Sequence, residues 1–163
     1  MDYKRKKIGI LGGIGPEATG NFYLGLISKL QKTGNIKTND DFPHIIINSI
    51  PAPELIRQTI EDTKLRPYIR GLQELEKAKP DIIVMVCNTI HLFHKRLQEE
   101  IKIPLLNLPK EVKAYLEKTK IKSYTVLGTP LVFKSGLYEF RRVHNLKPTG
   151  KEVEMLSKSI FDF

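Results

Sequence analysis

Cysteine is nearly absent from this chain of 163 residues, which contains a single cysteine, Cys87, and no tryptophan. One cysteine excludes an internal disulfide framework and fits a reducing compartment. Long apolar runs are also absent, since no stretch approaches the roughly 20 residues that a membrane-spanning helix needs. The apolar stretch after the basic N-terminus breaks at Gly12 and Gly13, which predicts a first strand rather than a signal peptide. The sequence therefore predicts a cytoplasmic protein with no membrane partner.

Acidic residues are in the minority. The chain has 18 Asp and Glu but 27 Lys and Arg, so its formal net charge is +9. The basic residues are spread through helix-like segments and are interrupted by residues such as Glu111 and Glu117. The sequence contains neither a basic stripe with interleaved aromatic residues nor a nucleic-acid-binding motif. We therefore expect a solvated basic surface that attracts an anionic small molecule, and no nucleic-acid partner.

Apolar runs alternate with helical patterns along the first two thirds of the chain. Strands are predicted at 6–11, 44–50, 82–86 and 105–108, and helices from Pro16 to the Gly34-Asn35 pair, at 65–79 and at 90–101. The first helix places Ala18, Phe22, Leu26 and Leu30 at helical spacing. Continuous apolar strands separated by helices indicate a parallel sheet that is covered on both faces. Right-handed crossovers then predict a doubly wound, flavodoxin-like α/β fold.

A second and shorter α/β pattern follows. It consists of a helix at 109–118, a strand at 123–127 and helices at 132–144 and 149–163. Gly128-Thr129 follows its strand as Gly12-Gly13 follows the first strand, but two strands do not make an independently stable sheet. We predict an N-terminal α/β domain over residues 1–104 and an incomplete second α/β domain over 105–163. Such a chain is either truncated or completed by something else.

Reactive chemistry is predicted where the third strand ends. The apolar run stops at Cys87, and Asn88 and Thr89 follow directly. Ligands of parallel sheets bind at the carboxyl edge of the strands, and a helix N-terminus just beyond a thiol lowers its pKa below about 8.5. Asn88 and Thr89 offer hydrogen-bond donors for a carboxylate or a developing enolate. The alternative is a small buried core cysteine.

The glycine-rich turn at 12–15 is predicted to lie at the same edge, where its backbone N–H groups can approach an anion. Its spacing does not fit a dinucleotide fingerprint, and no phosphate-binding loop is present. Two histidines, His91 and His94, are spaced i,i+3, but no third metal ligand accompanies them. We therefore predict neither a metal nor a cofactor.

Three motifs resemble the aspartate/glutamate racemase family, in its aspartate racemase branch. Residues 8–19, IGILGGIGPEAT, are similar to the opening of that family, and residues 85–91, MVCNTIH, are similar to its first catalytic cysteine motif. Residues 127–129, LGT, with 135–139, SGLYE, resemble the opening of its second domain. The similarity extends over nearly the whole chain.

This resemblance implies a cofactor-independent amino-acid racemase, with two α/β domains related by pseudo-twofold symmetry and the active site between them. One cysteine thiolate removes the α-proton, and a second thiol protonates the opposite face. The resemblance gives Cys87 the role of one acid/base. It implies α-carboxylate ligands at Asn88, Thr89, Thr129 and the backbone of Gly13 and Ile14. Because family members often pair, it also implies a possible homodimer.

Two departures from the family pattern bear on activity. The family's second cysteine lies in a Gly-Cys-Thr motif that this sequence does not contain, so we expect impaired racemisation. The family's arginine for the side-chain carboxylate follows the second strand, where Arg57 is the nearest candidate. The substrate is predicted to be aspartate or glutamate. The alternatives are an inactive remnant, a small-anion-binding module of the same fold, and, less favoured, a dicarboxylate decarboxylase or isomerase.

Overall fold

A computed structural model of the protein describes residues 4–53 and 62–161. The strands are β1 (Lys7–Gly12), β2 (His44–Ser49), β3 (Ile82–Met85), β4 (Ser123–Tyr124) and β5 (His144–Asn145). The α-helices are α1 (Pro16–Lys32), α2 (Asp62–Lys77), α3 (His94–Gln98), α4 (Leu108–Lys118), α5 (Pro130–Ser135) and α6 (Gly150–Phe161). Short 3-10 helices span Asn39–Asp41 and Thr89–Phe93. The described residues divide into a first compact unit (4–53, 62–87 and 93–106) and a second (88–92 and 107–161).

The first unit is built on a parallel sheet with the strand order β2-β1-β3. In this sheet Ile8 lies opposite Ile45 on one side and Ile82 on the other. A single bridge from Ile83 to Leu105 stands where a fourth strand was predicted. The chain steps from the central strand to one side and then crosses to the other, with helices as connections. The predicted doubly wound α/β fold is thereby confirmed.

Helix α2 covers one face of this sheet through a glycine. A Cβ atom on Gly71 would lie 2.7 Å from Leu11 Cδ1, so a larger residue there would require the Leu11 side chain to move. Leu72 of α2 and Ile83 of β3 are fully buried in the resulting core. Each such buried aliphatic side chain stabilises the fold by about 1.5–3 kcal/mol. The core of the first unit therefore lies between α2 and the β1–β3 pair.

Helix α1 covers the opposite face less completely. Thr19 is its contact with β1, because a Cβ atom on Gly12 would lie 2.3 Å from Thr19 Cγ2. Of the four residues at helical spacing, Leu30 is buried, whereas Ala18 and Phe22 are exposed, and Thr19 is the other buried residue of α1. The apolar spacing therefore does not identify Thr19, a polar residue that packs against Gly12.

The second unit contains a two-stranded parallel sheet in which Ser123 lies opposite His144. The helix predicted over 132–144 ends early, because Gly136 at φ 68° caps α5 in the left-handed conformation. The chain then turns into β5, which the sequence did not predict. The helix predicted over 90–101 is also divided, into the 3-10 helix Thr89–Phe93 and α3. The domain boundary predicted at 104/105 stays a prediction.

None of the helices in the described part of the chain is both long and apolar enough to cross a membrane.

Candidate functional site

Cys87 lies just beyond the carboxyl end of β3 and is half-buried. The adjacent strand β1 pairs Leu11 with Met85, and the Val86 N–H donates to the Leu11 carbonyl at 3.0 Å. Two residues beyond this pair, Cys87 follows the end of β3 and Gly13 follows the end of β1. The first unit therefore brings the thiol and the glycine-rich turn to the same edge of the sheet, where parallel sheets bind ligands.

Gly13 shapes this turn and is tied into it. Its φ is 84°, and a Cβ atom there would lie 2.2 Å from the Ile50 carbonyl oxygen, so other residues are excluded. The Gly13 N–H donates to Thr19 Oγ1 at 3.0 Å, and the Thr19 hydroxyl donates to the Gly15 carbonyl at 3.1 Å. The Gly13 N–H is thus used for a hydrogen bond within the turn.

The neighbouring Ile14 N–H has no hydrogen-bond partner among residues 4–53 and 62–161. Pro16 carries no N–H, so the first turn of α1 begins with one donor fewer. Of the two backbone donors that the sequence suggested, the structure therefore leaves Ile14 available to an anion.

Tyr68 is a neighbour of the thiol that the sequence analysis missed. It is fully buried in α2, and its Oη donates to the Pro53 carbonyl in the segment after β2. Burial raises the pKa of the Tyr68 phenol well above its usual range, and the charge of Cys87 adds to this rise. Tyr68 therefore anchors the chain after β2 and lies within electrostatic range of the thiol.

In the second unit, two predicted carboxylate ligands lie together. The Thr89 and Thr129 hydroxyl oxygens are 3.4 Å apart, and either can be the donor. Thr89 is buried in the 3-10 helix after Asn88, whereas Thr129 is the N-cap residue of α5. Because each hydroxyl can both donate and accept, the pair can turn its protons toward an anion.

Asn88 is held by a residue distant in sequence. The Tyr138 Oη donates to Asn88 Oδ1 at 2.6 Å across 50 residues of chain. Tyr138 is buried, whereas Asn88 is exposed. The Asn88 carbonyl also accepts from the His91 N–H at 3.1 Å, which starts the 3-10 helix. Asn88 therefore has a fixed backbone and a side chain with one defined hydrogen bond.

The remaining predicted residues are placed as follows. Arg57 lies outside the described residues. The His94 Nε2 lies 2.8 Å from the Leu105 carbonyl oxygen, so this ring ties α3 to the edge of the sheet. Within the described ranges, no group of three His, Cys, Asp or Glu side chains is placed to hold a metal ion.

The first unit is thus a parallel α/β sheet with a cysteine at its carboxyl edge, and an amide and a hydroxyl side chain follow that cysteine directly in the sequence. The chain belongs to the Asp/Glu/hydantoin racemase family, whose sequence model matches residues 11–148.

Two curated relatives agree with this family. The chain is 33% identical over 147 residues to the broad specificity amino-acid racemase RacX of Bacillus subtilis (strain 168), a match that covers 90% of this chain. The same match covers 63% of RacX, so the chain spans less than two thirds of that relative. It is also 36% identical over 81 residues to the glutamate racemase of Aquifex pyrophilus, covering 48% of this chain and 32% of the relative.

Solved structures show the same fold. PH1733, an aspartate racemase homologue from Pyrococcus horikoshii OT3, superposes with a TM-score of 0.78 at 27% identity, covering 96% of this chain and 70% of that chain. The aspartate racemase of Picrophilus torridus gives a TM-score of 0.74 at 24% identity, covering 95% and 73%. The second likeness is one of fold alone.

Proposed function

We propose that the protein is a cofactor-independent amino-acid racemase of the aspartate or glutamate type, impaired in this chain. Cys87 acts as one of two thiol acid/bases at the α-carbon. The observation that carries the proposal is the position of Cys87 at the carboxyl edge of the sheet beside the glycine-rich turn. Family membership supports the reaction class, and the relatives are named as amino-acid, glutamate and aspartate racemases.

Removal of the α-proton is the difficult step, because an amino-acid Cα–H is far less acidic than a thiol. The Cys87 thiolate takes this proton, and the electron pair left on Cα delocalises into the α-carboxylate. Hydrogen-bond donors on that carboxylate lower the barrier because they bind the developing charge more strongly than the ground state. We assign this role to the Ile14 N–H, Asn88, Thr89 and Thr129. Arg57 remains the proposed partner of the substrate's side-chain carboxylate.

A single thiol reaches one face of the α-carbon. Inversion needs a second proton donor on the opposite face, and Cys87 is the only cysteine in the sequence. In this chain the Cys87 thiol exchanges the proton that it has taken with solvent and delivers a solvent proton to the same face of Cα. The expected reaction is exchange of the α-proton with solvent from one enantiomer, with its configuration retained.

Proton NMR of D- and L-aspartate and of D- and L-glutamate, each incubated with the protein in D2O, tests this proposal. We expect the α-proton signal to disappear from one enantiomer only, and Cys87→Ser to abolish the loss while keeping the circular dichroism of the folded protein. Loss from both enantiomers with racemisation would show that a complete site exists despite the single cysteine and that the chain is not impaired. No exchange from any of the four, with folded protein, would contradict the racemase assignment.

The second candidate is a small-anion-binding module without catalysis. It is favoured by the lack of a second cysteine together with the paired hydroxyls of Thr89 and Thr129. In the same NMR samples, broadening or shift of the amino-acid signals without any exchange would support this second function over the first.

We also propose a cytoplasmic location and a homodimer. The single cysteine supports the location, and exposed apolar side chains on α1 support the dimer.

A further inference from the structure

We infer that Tyr138 is a positioning residue that fixes the side-chain amide of Asn88, so that Asn88 Nδ2 is presented to the substrate carboxylate. This inference rests on the proposed function for its catalytic consequence. Its structural content, the orientation of one amide by one phenol, is independent of that function and can be measured separately.

The orientation follows from the hydrogen bond itself. Tyr138 Oη donates to Asn88 Oδ1 at 2.6 Å, which directs the carbonyl end of the planar amide toward the phenol. The two Nδ2 protons then lie on the other side of the amide, and Asn88 is exposed, so a ligand can reach them. Without the phenol the amide can turn over, because this terminal torsion is broad and roughly two-fold. A turned amide offers an acceptor to a carboxylate, which repels it.

Tyr138 is itself held in place by a cluster of three aromatic residues, Tyr124, Tyr138 and Phe140. The Tyr124 Oη donates to the Tyr138 carbonyl, and the Phe140 N–H donates to Tyr124 Oη at 3.2 Å. The Tyr138 and Phe140 rings meet edge to face at 6.3 Å, and the Tyr124 and Phe140 rings are 5.7 Å apart. Such pairs favour one relative ring orientation.

The local chain path also delivers Tyr138 to this position. Gly136 in the left-handed conformation ends α5, and Tyr138 follows two residues later with 8% of its surface exposed. The Tyr138 backbone, ring and hydroxyl therefore each have a defined neighbour within the second unit. A side chain that is held in this way can transmit a fixed geometry to the amide it binds.

The catalytic consequence lies in the transition state. As the α-proton leaves, negative charge grows on the carboxylate oxygens, and a donor that is already aimed at them needs no reorganisation. Tyr138 touches the Asn88 amide and acts through it. Its removal should therefore lower the rate of proton transfer more than it weakens binding of the amino acid.

The first test reads the Asn88 amide directly. In ¹⁵N–¹H spectra of the whole chain, Asn88→Ala identifies the Asn88 Nδ2 signals by their loss. We expect Tyr138→Phe to shift these signals and to increase their fast motion in ¹⁵N relaxation. Tyr115→Phe, at a tyrosine that is 62% exposed, is the matched control and should leave them unchanged. If Tyr138→Phe leaves the Asn88 signals unchanged in position and relaxation, the inference is overturned.

The second test measures α-proton exchange of the responsive amino acid in D2O. Loss of one well-placed donor to developing charge costs on the order of 100-fold or more in rate, so a misaligned donor should cost about tenfold in Tyr138→Phe. The double variant Tyr138→Phe/Asn88→Ala should be no slower than Asn88→Ala alone. Multiplied losses would show that Tyr138 acts by another route.

Asn88→Asp separates positioning from folding. Aspartate keeps an acceptor for Tyr138 Oη but removes the Nδ2 donor and adds a charge that repels the substrate carboxylate, so the variant should fold normally and lose at least as much exchange as Asn88→Ala. An Asn88→Asp variant with the exchange rate of the unchanged protein would contradict the role of Nδ2. Absence of exchange in the unchanged protein would sink the proposed function, whereas the amide spectrum would still decide the orientation of Asn88.

Discussion

At the scale of single residues, Tyr68 shows how burial turns a side chain into a pH-dependent contributor to stability. Its phenol is fully buried, and burial raises its pKa above the usual value of about 10. A group whose pKa is higher in the folded state than in the unfolded state stabilises the fold fully below its unfolded pKa. That contribution is lost as the pH rises through the folded-state pKa.

Tyr68→Phe should therefore reduce the decrease in the free energy of unfolding at alkaline pH. The free energy of unfolding, measured with urea from about pH 8 to about pH 11, should fall less steeply above about pH 10 in the variant. At neutral pH the variant should be destabilised by about 1 kcal/mol, because the Pro53 carbonyl loses its donor. Tyr115→Phe serves as the exposed control. Parallel alkaline profiles for Tyr68→Phe and the unchanged protein would rule out this account.

The candidate site could be predicted from the sequence only where its residues are contiguous or lie at a strand end. Cys87, Asn88 and Thr89 form one short motif, and the sequence pointed to Thr129 because it follows a glycine after a strand. The structure places the Thr89 and Thr129 hydroxyls 3.4 Å apart, although their role as ligands stays a prediction. Tyr138 donates a hydrogen bond to Asn88 although the two residues are 50 positions apart in the sequence. A pattern of neighbouring residues does not predict such a contact.

At the scale of elements, the sequence predicted those strands that contain an apolar run. Strands β1, β2 and β3 were found because each contains three to five consecutive apolar or glycine residues. Strand β5 has only two residues and was missed, because its pairing depends on β4 rather than on its own composition. The contact of Thr19 with Gly12 was also missed, because Thr19 is polar and Gly12 belongs to a different element.

Helix α1 leaves apolar side chains uncovered. Phe22, Tyr23 and Leu24 are 36%, 37% and 66% exposed. Ile47 of β2, which pairs in register with Ile10, is 41% exposed. Large exposed apolar patches mark interaction sites, and these side chains are the candidates for such a patch in the first unit. In the proposed homodimer, a second copy of the chain covers it.

Leu24→Glu should therefore shift the protein toward monomer. A buried unpaired carboxylate at the centre of an apolar interface is strongly unfavourable, so the dimer dissociation constant should rise by about 100-fold or more. Sedimentation velocity over a range of protein concentrations measures this change. The control is Leu146→Glu, at a residue 52% exposed in the second unit, which should leave association unchanged. A protein that is monomeric at every concentration, or equal effects of both substitutions, would exclude this interface.

At the scale of the whole molecule, the proposed function gives the chain the first half of a two-thiol reaction. The family match spans residues 11–148, and the chain covers 63% of RacX and 70% of the PH1733 chain. The proposed catalytic residues that the structure describes fall in both compact units, whereas the only thiol is in the first. Retained configuration during exchange is therefore the expected signature of the chain as it stands.

The formal net charge of +9 gives the whole molecule a second measurable property. A basic surface attracts an anionic amino acid over a distance set by the Debye length, which is about 10 Å at 0.1 M salt. Aspartate carries one net negative charge at pH 7, whereas its side-chain amide, asparagine, carries none. We therefore expect the apparent affinity for aspartate to fall by about threefold between about 20 mM and about 200 mM sodium chloride.

Isothermal titration calorimetry with Cys87→Ser protein measures this affinity without turnover. The apparent affinity for asparagine, if it binds at all, should change much less over the same range of salt. The electrostatic field of the basic surface attracts aspartate, which has a net negative charge, more than asparagine, which has none. The hydrogen-bond donors that bind the α-carboxylate act on both amino acids alike. Equal salt dependence for the two would show that the basic surface is only solvated and takes no part in selecting an acidic substrate.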